Sequence, residues 1–334
     1  MTEDLRGYIQ EIGTLTGETY KGITLAAGYI AGFFDILKVD SPTTPQELAK
    51  RKGYDLGKVE KWLHFAAEIG IVRMDETEGI TLTAKGLLLS SASPVKDMLA
   101  FIDGISFLIR AADRADSTFK PNQSLDKLSD GKISREYQPK VSDNFSATFI
   151  DHVKKFDLAE NDRLLDVGSG NGSFIRALCK ALPSMTFTGV DLNLFAIEKA
   201  KKENISLGLS DRIKMVVGDI MEDLDDFPDN SYEWVTAINV MHFLPVGERD
   251  NLLRHLVRIA KRGVFFNVCL SDSTMIALSA HCMMSLLWND FTGFYTPPEA
   301  DTFFKELPQK YRNMEITTQD MMQGSSKLVT MVKR

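Results

Sequence analysis

The carboxy-terminal half of this sequence predicts an α/β fold, a parallel sheet with helices on both faces. The front third predicts a separate, mostly helical domain. Three observations carry this reading. From about residue 160, apolar runs (RLLDVG, TFTGVDL, IKMVVGDI, WVTAINVM, RGVFFNVCL) alternate with helical stretches such as SFIRALCKAL and ERDNLLRHLVRIA, the rhythm of strand–helix–strand units. The first of these strands runs into LLDVGSGNGSF, where Gly168, Gly170 and Gly172 occupy alternate positions just before a helix. Acids then mark three successive strand ends: Asp166, Asp191 and Asp219. Ligands of such sheets sit at the carboxyl ends of the strands, where the chain order reverses.

The front elements follow in order. TYKGITLAAGYIAGFFDIL, residues 19–37, carries small and aromatic residues on most faces and is expected to be a helix buried within the domain or against a second subunit. In SPTTPQELAKRKG a Thr-Pro start and a Lys-Gly stop frame a short helix, because proline suits a first turn and glycine a last one. DLGKVEKWLHFAAEIGIV places Val59, Leu63, Phe65 and Ile69 at roughly helical spacing, and VRMDETEGITLTAKG reads as a two-stranded wing turning at Glu76–Gly79. Helix, helix, wing is a winged-helix order. A reading helix for DNA needs exposed basic or amide side chains. Here Lys58 and Lys61 are offset by Asp55, Glu60 and Glu68, so the expectation is dimerisation and substrate covering. The chain thus divides into a helical winged-helix domain (1–93), connecting helices that contribute to a substrate pocket (94–157) and the α/β domain (158–334). The polar stretch STFKPNQSLDKLSDGK interrupts the connecting helices.

Composition bounds the function. The 334 residues are 44% hydrophobic and 25% charged, enough apolar material for a packed core. A formal net charge of -7 argues against coating nucleic acid. The three cysteines, Cys179, Cys269 and Cys282, show no metal-ligand spacing and read as reduced thiols of a cytoplasmic protein. MTEDLRGYIQEIG has no signal-peptide pattern, and no apolar run is long enough to span a bilayer. Neither a metal nor a membrane partner is expected.

A glycine turn alone fits several nucleotides, and its details choose among them. No Gly-Lys-Ser/Thr follows, which removes a phosphate-loop nucleotide triphosphatase. The spacing is G-x-G-x-G rather than the dinucleotide G-x-G-x-x-G. Asp166 would repel a pyrophosphate but suits an ammonium group. Asp191 can accept both hydroxyls of a ribose, and Asp219 can accept an adenine amino hydrogen. Leu192, Ile220 and Asn239 adjoin these stations and are grouped with them. An amino-acid head, a ribose, an adenine and no phosphate together describe S-adenosylmethionine, with S-adenosylhomocysteine as product.

On these motifs, and on the VMHFLP that follows the fourth strand, the chain resembles the small-molecule O-methyltransferases. These are the caffeate, acetylserotonin and antibiotic-tailoring type of class I S-adenosylmethionine-dependent methyltransferase. The resemblance implies a Rossmann-like methyltransferase domain behind a winged-helix dimerisation domain, a homodimer and a small-molecule acceptor. It also implies that His242 is the general base, with imidazole suited to proton transfer near neutral pH. Family members flank that base with two acids. Here the fifth strand offers Asn267 and Val268, and the later Glu-Arg station offers Phe294 and Tyr295. Oxygen is the common acceptor in the family. The absent acids leave open a thioether sulfur, as in 4-methylthio-2-hydroxybutyrate on the route to dimethylsulfoniopropionate, and the α-carbon of a keto acid. A non-methylating protein that binds the adenosyl ligand is the alternative of another class. Expected pocket residues are Tyr137, Phe145, Phe149 and His152 on one segment and His281, Met284, Trp288, Phe291 and Tyr295 on another. His152 and His281 serve as spare bases, while His64 and His255 are structural.

Overall fold

The structure, a computed structural model, describes residues 3–75, 77–90, 149–150, 153, 158–273, 277–278, 281–282, 284–285, 291–321 and 324–334. Glu76, the stretch 117–132, and the expected pocket residues Tyr137, Phe145, His152 and Trp288 lie outside the described residues. Two compact units emerge, Met1–Ala112 and Asp113–Arg334.

In the first unit, α1 (Glu3–Ile30) ends where Gly32 takes φ 73°, and α2 (Phe33–Ile36) follows. The Trp62 indole donates to the Thr24 carbonyl at 2.9 Å. Its ring lies so close to Gly28 that a Cβ there would sit 2.0 Å from it; only glycine admits this approach. Within one copy the stretch 19–37 is buried only in part. Ala26, Phe33, Phe34 and Leu37 are buried, but Tyr20, Ile23 and Ile30 are 67%, 39% and 59% exposed.

α3 (Pro45–Lys52) opens with the reciprocal capping pair Thr44–Glu47 and closes at left-handed Gly53, as its framing residues predict. α4 (Leu56–Glu68) is capped by Asp55, which accepts from the Lys58 amide at 3.0 Å. Its buried face is Val59, Trp62, Leu63 and Ala66, a true 3–4 spacing; Phe65 and Ile69 are half-buried beside it rather than central. β1 (Val72–Asp75) and β2 (Gly79–Leu82) pair antiparallel as the expected hairpin, and α5 (Ala84–Leu87) follows.

The second unit is a seven-stranded sheet. Its strands are β3 (Arg163–Val167), β4 (Thr186–Asp191), β5 (Ile213–Val217), β6 (Tyr232–Ala237), β7 (Ala260–Cys269), β8 (Met314–Met321) and β9 (Ser326–Lys333). Their order is β5-β4-β3-β6-β7-β9-β8, parallel through β7, with β9 antiparallel to both β7 and β8. Helices α6 (Ser173–Ala181), α7 (Leu194–Ser206), α8 (Val246–Ile259) and α9 (Pro297–Lys310) supply the flanking layers. Adjacent strand residues point to opposite faces. Leu165, Val235 and Phe266 therefore join one core, and Leu164, Trp234 and Phe265 the other. That double burial is why these strands read as unbroken apolar runs.

Two boundaries differ from expectation. β6 stops at Ala237, and Asn239 turns the chain with φ 59° into a short 3-10 turn, Met241–Phe243. β5 stops at Val217, so Asp219 lies in the turn beyond it. The chain order reverses between β3 and β6, where sheets of this kind carry their ligand crevice; the glycine turn follows β3 there and the 3-10 turn follows β6.

Candidate active site

The glycine turn is held down by its neighbour strand. The amides of Gly168 and Ser169 both donate to the Val190 carbonyl, at 2.8 and 3.0 Å. Gly168 has φ 71°, and a Cβ there would meet Val240 at 2.4 Å. Gly170 has φ 53° with open space where a Cβ would stand, so the turn presents bare backbone to the crevice.

The Gly170 amide does not face that space. It donates to Asp191 Oδ2 at 2.7 Å, while the Asn193 amide donates to Oδ1 at 2.8 Å. A phosphate loop needs free amides converging on the ligand; this turn offers a carboxylate instead. Each Asp191 oxygen keeps a further lone pair, the geometry required by two vicinal hydroxyls. Burial raises the Asp191 carboxyl above its usual range, against the two amide bonds.

Asp166 is buried and pairs in register with Gly189 on one side and Thr236 on the other. Its Oδ1 accepts from the Thr236 hydroxyl at 2.6 Å. Burial pushes its carboxyl up to about 7, the Thr236 bond opposes that, and nearby Asp191 adds to it. A buried acid of this kind gains most from a cation. Asp219 is half-exposed, and one oxygen takes the Met221 amide at 2.8 Å. Leu192 is exposed beside Asp191, whereas Ile220 packs toward the core. The cradle therefore fits a phosphate-free adenosyl ligand with an ammonium head.

Across the crevice, Asn267 occupies the position where the resemblance calls for an acid. Its Oδ1 accepts from the Asn239 amide at 2.6 Å and its Nδ2 donates to Asn239 Oδ1 at 2.7 Å. This amide clamp fixes a left-handed residue at the start of the turn that carries His242.

His242 is buried, 4.5 Å from the Phe243 ring, 5.8 Å from Phe291 and 5.1 Å from Phe294. His281 packs on the same Phe291 and Phe294, each at 5.5 Å. Burial, then the Arg249 and His281 charges, lower the His242 imidazole to about 3. His281 is half-exposed and lowered by burial, with Asp272 and Glu299 working the other way. Among the described residues no carboxylate lies within ion-pair distance of His242, which is thus a neutral ring in an aromatic box.

Two expected pocket residues are core residues. Phe149 is fully buried in the cluster with Val153, Leu164 and Ile175. Tyr295 is buried, its ring lying 4.3 Å beneath the Arg249 guanidinium and 5.4 Å from Phe303. An aromatic ring that fills a core gap gains apolar burial there. Met284 is half-buried. His64 is exposed, and His255 lies 3.5 Å from Asp225.

Sequence reasoning missed Thr236, Thr292, Phe243 and Arg249 as members of the site, while the expected pocket residue Phe291 does pack on both histidines. Arg249 had a signal: it stands in the stripe completed by Leu252, Leu253, Leu256 and Ile259, all buried, where a charge is out of place.

Comparison with known proteins agrees with this geometry. Residues 164–263 match the family model for a methyltransferase domain. A curated relative, 8-amino-8-demethylriboflavin N,N-dimethyltransferase of Streptomyces davaonensis, is 28% identical over 201 residues, covering 56% of this chain and 57% of that protein. The chain thus spans little more than half of that relative's length. Among solved structures, an O-methyltransferase family protein from Burkholderia thailandensis superposes with TM-score 0.69 at 16% identity, covering 97% of this chain and 98% of that one. Human N-acetylserotonin methyltransferase, solved in complex with S-adenosylmethionine, does so with TM-score 0.69 at 14% identity, covering 100% and 98%. At these identities the likeness is one of fold. Residues 164–263 of the second unit thus match a methyltransferase domain, and the chain shares the fold of the O-methyltransferase structures.

Proposed function

We propose that this protein is an S-adenosylmethionine-dependent methyltransferase acting on a small-molecule acceptor, with a hydroxyl oxygen as nucleophile. The observation that carries the proposal is the pairing of Asp191 with the Gly170 and Asn193 amides beside a bare glycine turn. That pairing excludes phosphate and leaves two lone pairs for ribose hydroxyls. Asp166 receives the ammonium head, Asp219 the adenine amino group, and Leu192 and Ile220 flank the base. Asn239 orients the turn on the opposite side.

The cofactor supplies the methyl group as an activated sulfonium; the chain's task is to align an acceptor and take its proton. In-line alignment is worth many orders of magnitude in rate when both reactants are held. His242 receives the proton in this reading. A ring with so little basicity removes it late, once methyl transfer has made the oxygen cationic and its O–H strongly acidic. Phe243, Phe291, Phe294, His281 and Met284 form the acceptor wall and exclude water.

The quaternary reading is a homodimer. α1 presents Ile12, Leu15, Tyr20, Ile23 and Ile30 to solvent, an apolar face of the kind a second copy covers. The α3–α4–hairpin order supports a winged-helix role in dimerisation. Three free thiols support a reducing, cytoplasmic setting, and among the described residues no helix is long and apolar enough to cross a membrane.

Label transfer tests the function. Incubation with methyl-labelled cofactor and separate panels of phenols, amines, thioether acids and keto acids is expected to label the phenol panel. Label in the sulfur or carbon panel would replace the oxygen assignment. Cofactor binding with no transfer to any panel would identify a non-methylating binder.

A further inference from the structure

We propose that Arg249 is the positioning residue of the acceptor side, fastening the segment around Thr292 to the 3-10 turn that carries His242. Arg249 is 2% exposed. Its Nε donates to the Leu244 carbonyl at 3.0 Å, just past His242, and its Nη2 to the Gly293 carbonyl at 2.6 Å. Thr292 ties the same two segments: its amide donates to the His242 carbonyl at 3.1 Å, and its hydroxyl reaches the His242 and Leu244 carbonyls at 3.0 and 2.6 Å. Phe291 and Phe294, the rings shared by both histidines, stand on either side of this staple. The box therefore depends on residues separated by some fifty positions being clasped by one guanidinium.

A purely structural role explains this poorly. Arg249 Nη1 has no hydrogen-bond partner among the described residues, and no carboxylate there lies within ion-pair distance. Its other partners are neutral, the Tyr295 ring at 4.3 Å and the Thr292 hydroxyl at 3.5 Å; a buried cation without a counter-charge is costly, and an apolar residue in the α8 stripe would pack without that cost. What the guanidinium adds is a fork that two backbone carbonyls on different segments can share. Its charge also acts on the box. Arg249 and His281 are the cations facing His242, and both oppose its protonation, while Asp272 and Glu299 face His281. Burial does most to keep His242 neutral, and the Arg249 charge adds to it.

The inference rests on the methyltransferase reading for its purpose, but its test does not need turnover. In the full chain, Arg249→Met and Arg249→Lys are compared with wild type by amide hydrogen exchange. The Thr292 amide is expected to exchange roughly 10- to 100-fold faster in Arg249→Met, with β3 amides such as Val167 unchanged, since local opening leaves the core protected. Lysine keeps the charge but not the fork, so its Thr292 amide is expected to loosen as well. The His242 ring, followed by NMR, is expected to titrate above about 3 in Arg249→Met and to stay low in Arg249→Lys. Unchanged Thr292 exchange in Arg249→Met would overturn the proposal. So would equal acceleration at Thr292 and β3 in both variants, which would make Arg249 an ordinary core residue. Should wild type methylate nothing, the proposed function fails while the exchange result still decides Arg249. Where turnover exists, the acceptor KM is expected to rise with cofactor affinity held.

Discussion

In the proposed reading one side of the crevice holds the cofactor and the other the acceptor, and the two are built by different means. The cofactor side is made of backbone: three glycines at positive φ, two strand-end carboxylates and the amides they collect. The acceptor side is made of side chains: an asparagine clamp, a threonine–arginine staple and aromatic rings brought from distant positions. Backbone conformation is set by a few contiguous residues, so the first side is compact in sequence and intolerant of change. Side-chain walls depend on packing among remote segments, so the second can vary its lining while keeping the fold, which suits a class that accepts different molecules.

That contrast predicts where substitutions hurt. The largest effect is expected at Gly168→Ala, whose new Cβ would collide with Val240 at 2.4 Å on a φ of 71°. A loss of about 2–4 kcal/mol in stability, with cofactor binding abolished, follows from strain plus overpacking. Gly170→Ala meets open space and is expected to cost only about 1–2 kcal/mol, from its backbone conformation. Thermal melts of the two side by side check this, and equal losses would break the comparison.

Next is Asp191→Asn. Removing the charge that organises the turn is expected to weaken cofactor binding about 10- to 100-fold, since hydrogen bonds to charged groups are worth about 1.5–3 kcal/mol. Calorimetry measures it, and acceptor affinity is expected to be untouched.

The third effect is a pH dependence. Asp166 is held up to about 7 by burial. The ligand-free fold therefore favours the protonated acid, and that contribution to stability is lost as pH rises from the ordinary carboxylate range through about 7. An ammonium pairs only with the ionised form, so affinity is expected to fall as pH drops below about 7. By pH 5.5 the fall is roughly 10- to 30-fold by linkage. Asp166→Asn is expected to bind more weakly at pH 8 and to lose this slope; a slope retained in the variant would assign it elsewhere.

The smallest effect is expected across the crevice. His242→Ala loses a weak base, so kcat for a phenol is expected to fall about tenfold, below the 10²–10⁴ of a well-matched general base. Cofactor affinity is expected to hold. A drop far beyond tenfold would mean that bound substrate restores the imidazole's basicity.

The elements most legible in the sequence share one trait, dependence on neighbours in the chain. Thr44-Pro45 and Gly53 bound α3 because capping is decided within a turn. The glycine motif was readable because glycine adopts those left-handed dihedrals without cost. β8 and β9 went unread: their half-exposed antiparallel pairing follows no strand–helix rhythm. The burial of Phe149 and Tyr295 was not legible, because an aromatic at helical spacing carries no mark of which side of a wall it will face.

By itself, then, the sequence determined the α/β alternation, the glycine turn and the acids that choose a phosphate-free adenosyl ligand, since each follows from local dihedrals or strand ends. Tertiary structure alone decided that Asp191 consumes the Gly170 amide, that Asn267 locks Asn239, and that Arg249 and Thr292 gather two histidines around shared rings. Those are contacts between residues some twenty to fifty positions apart, and register and packing, which no short stretch encodes, bring them together.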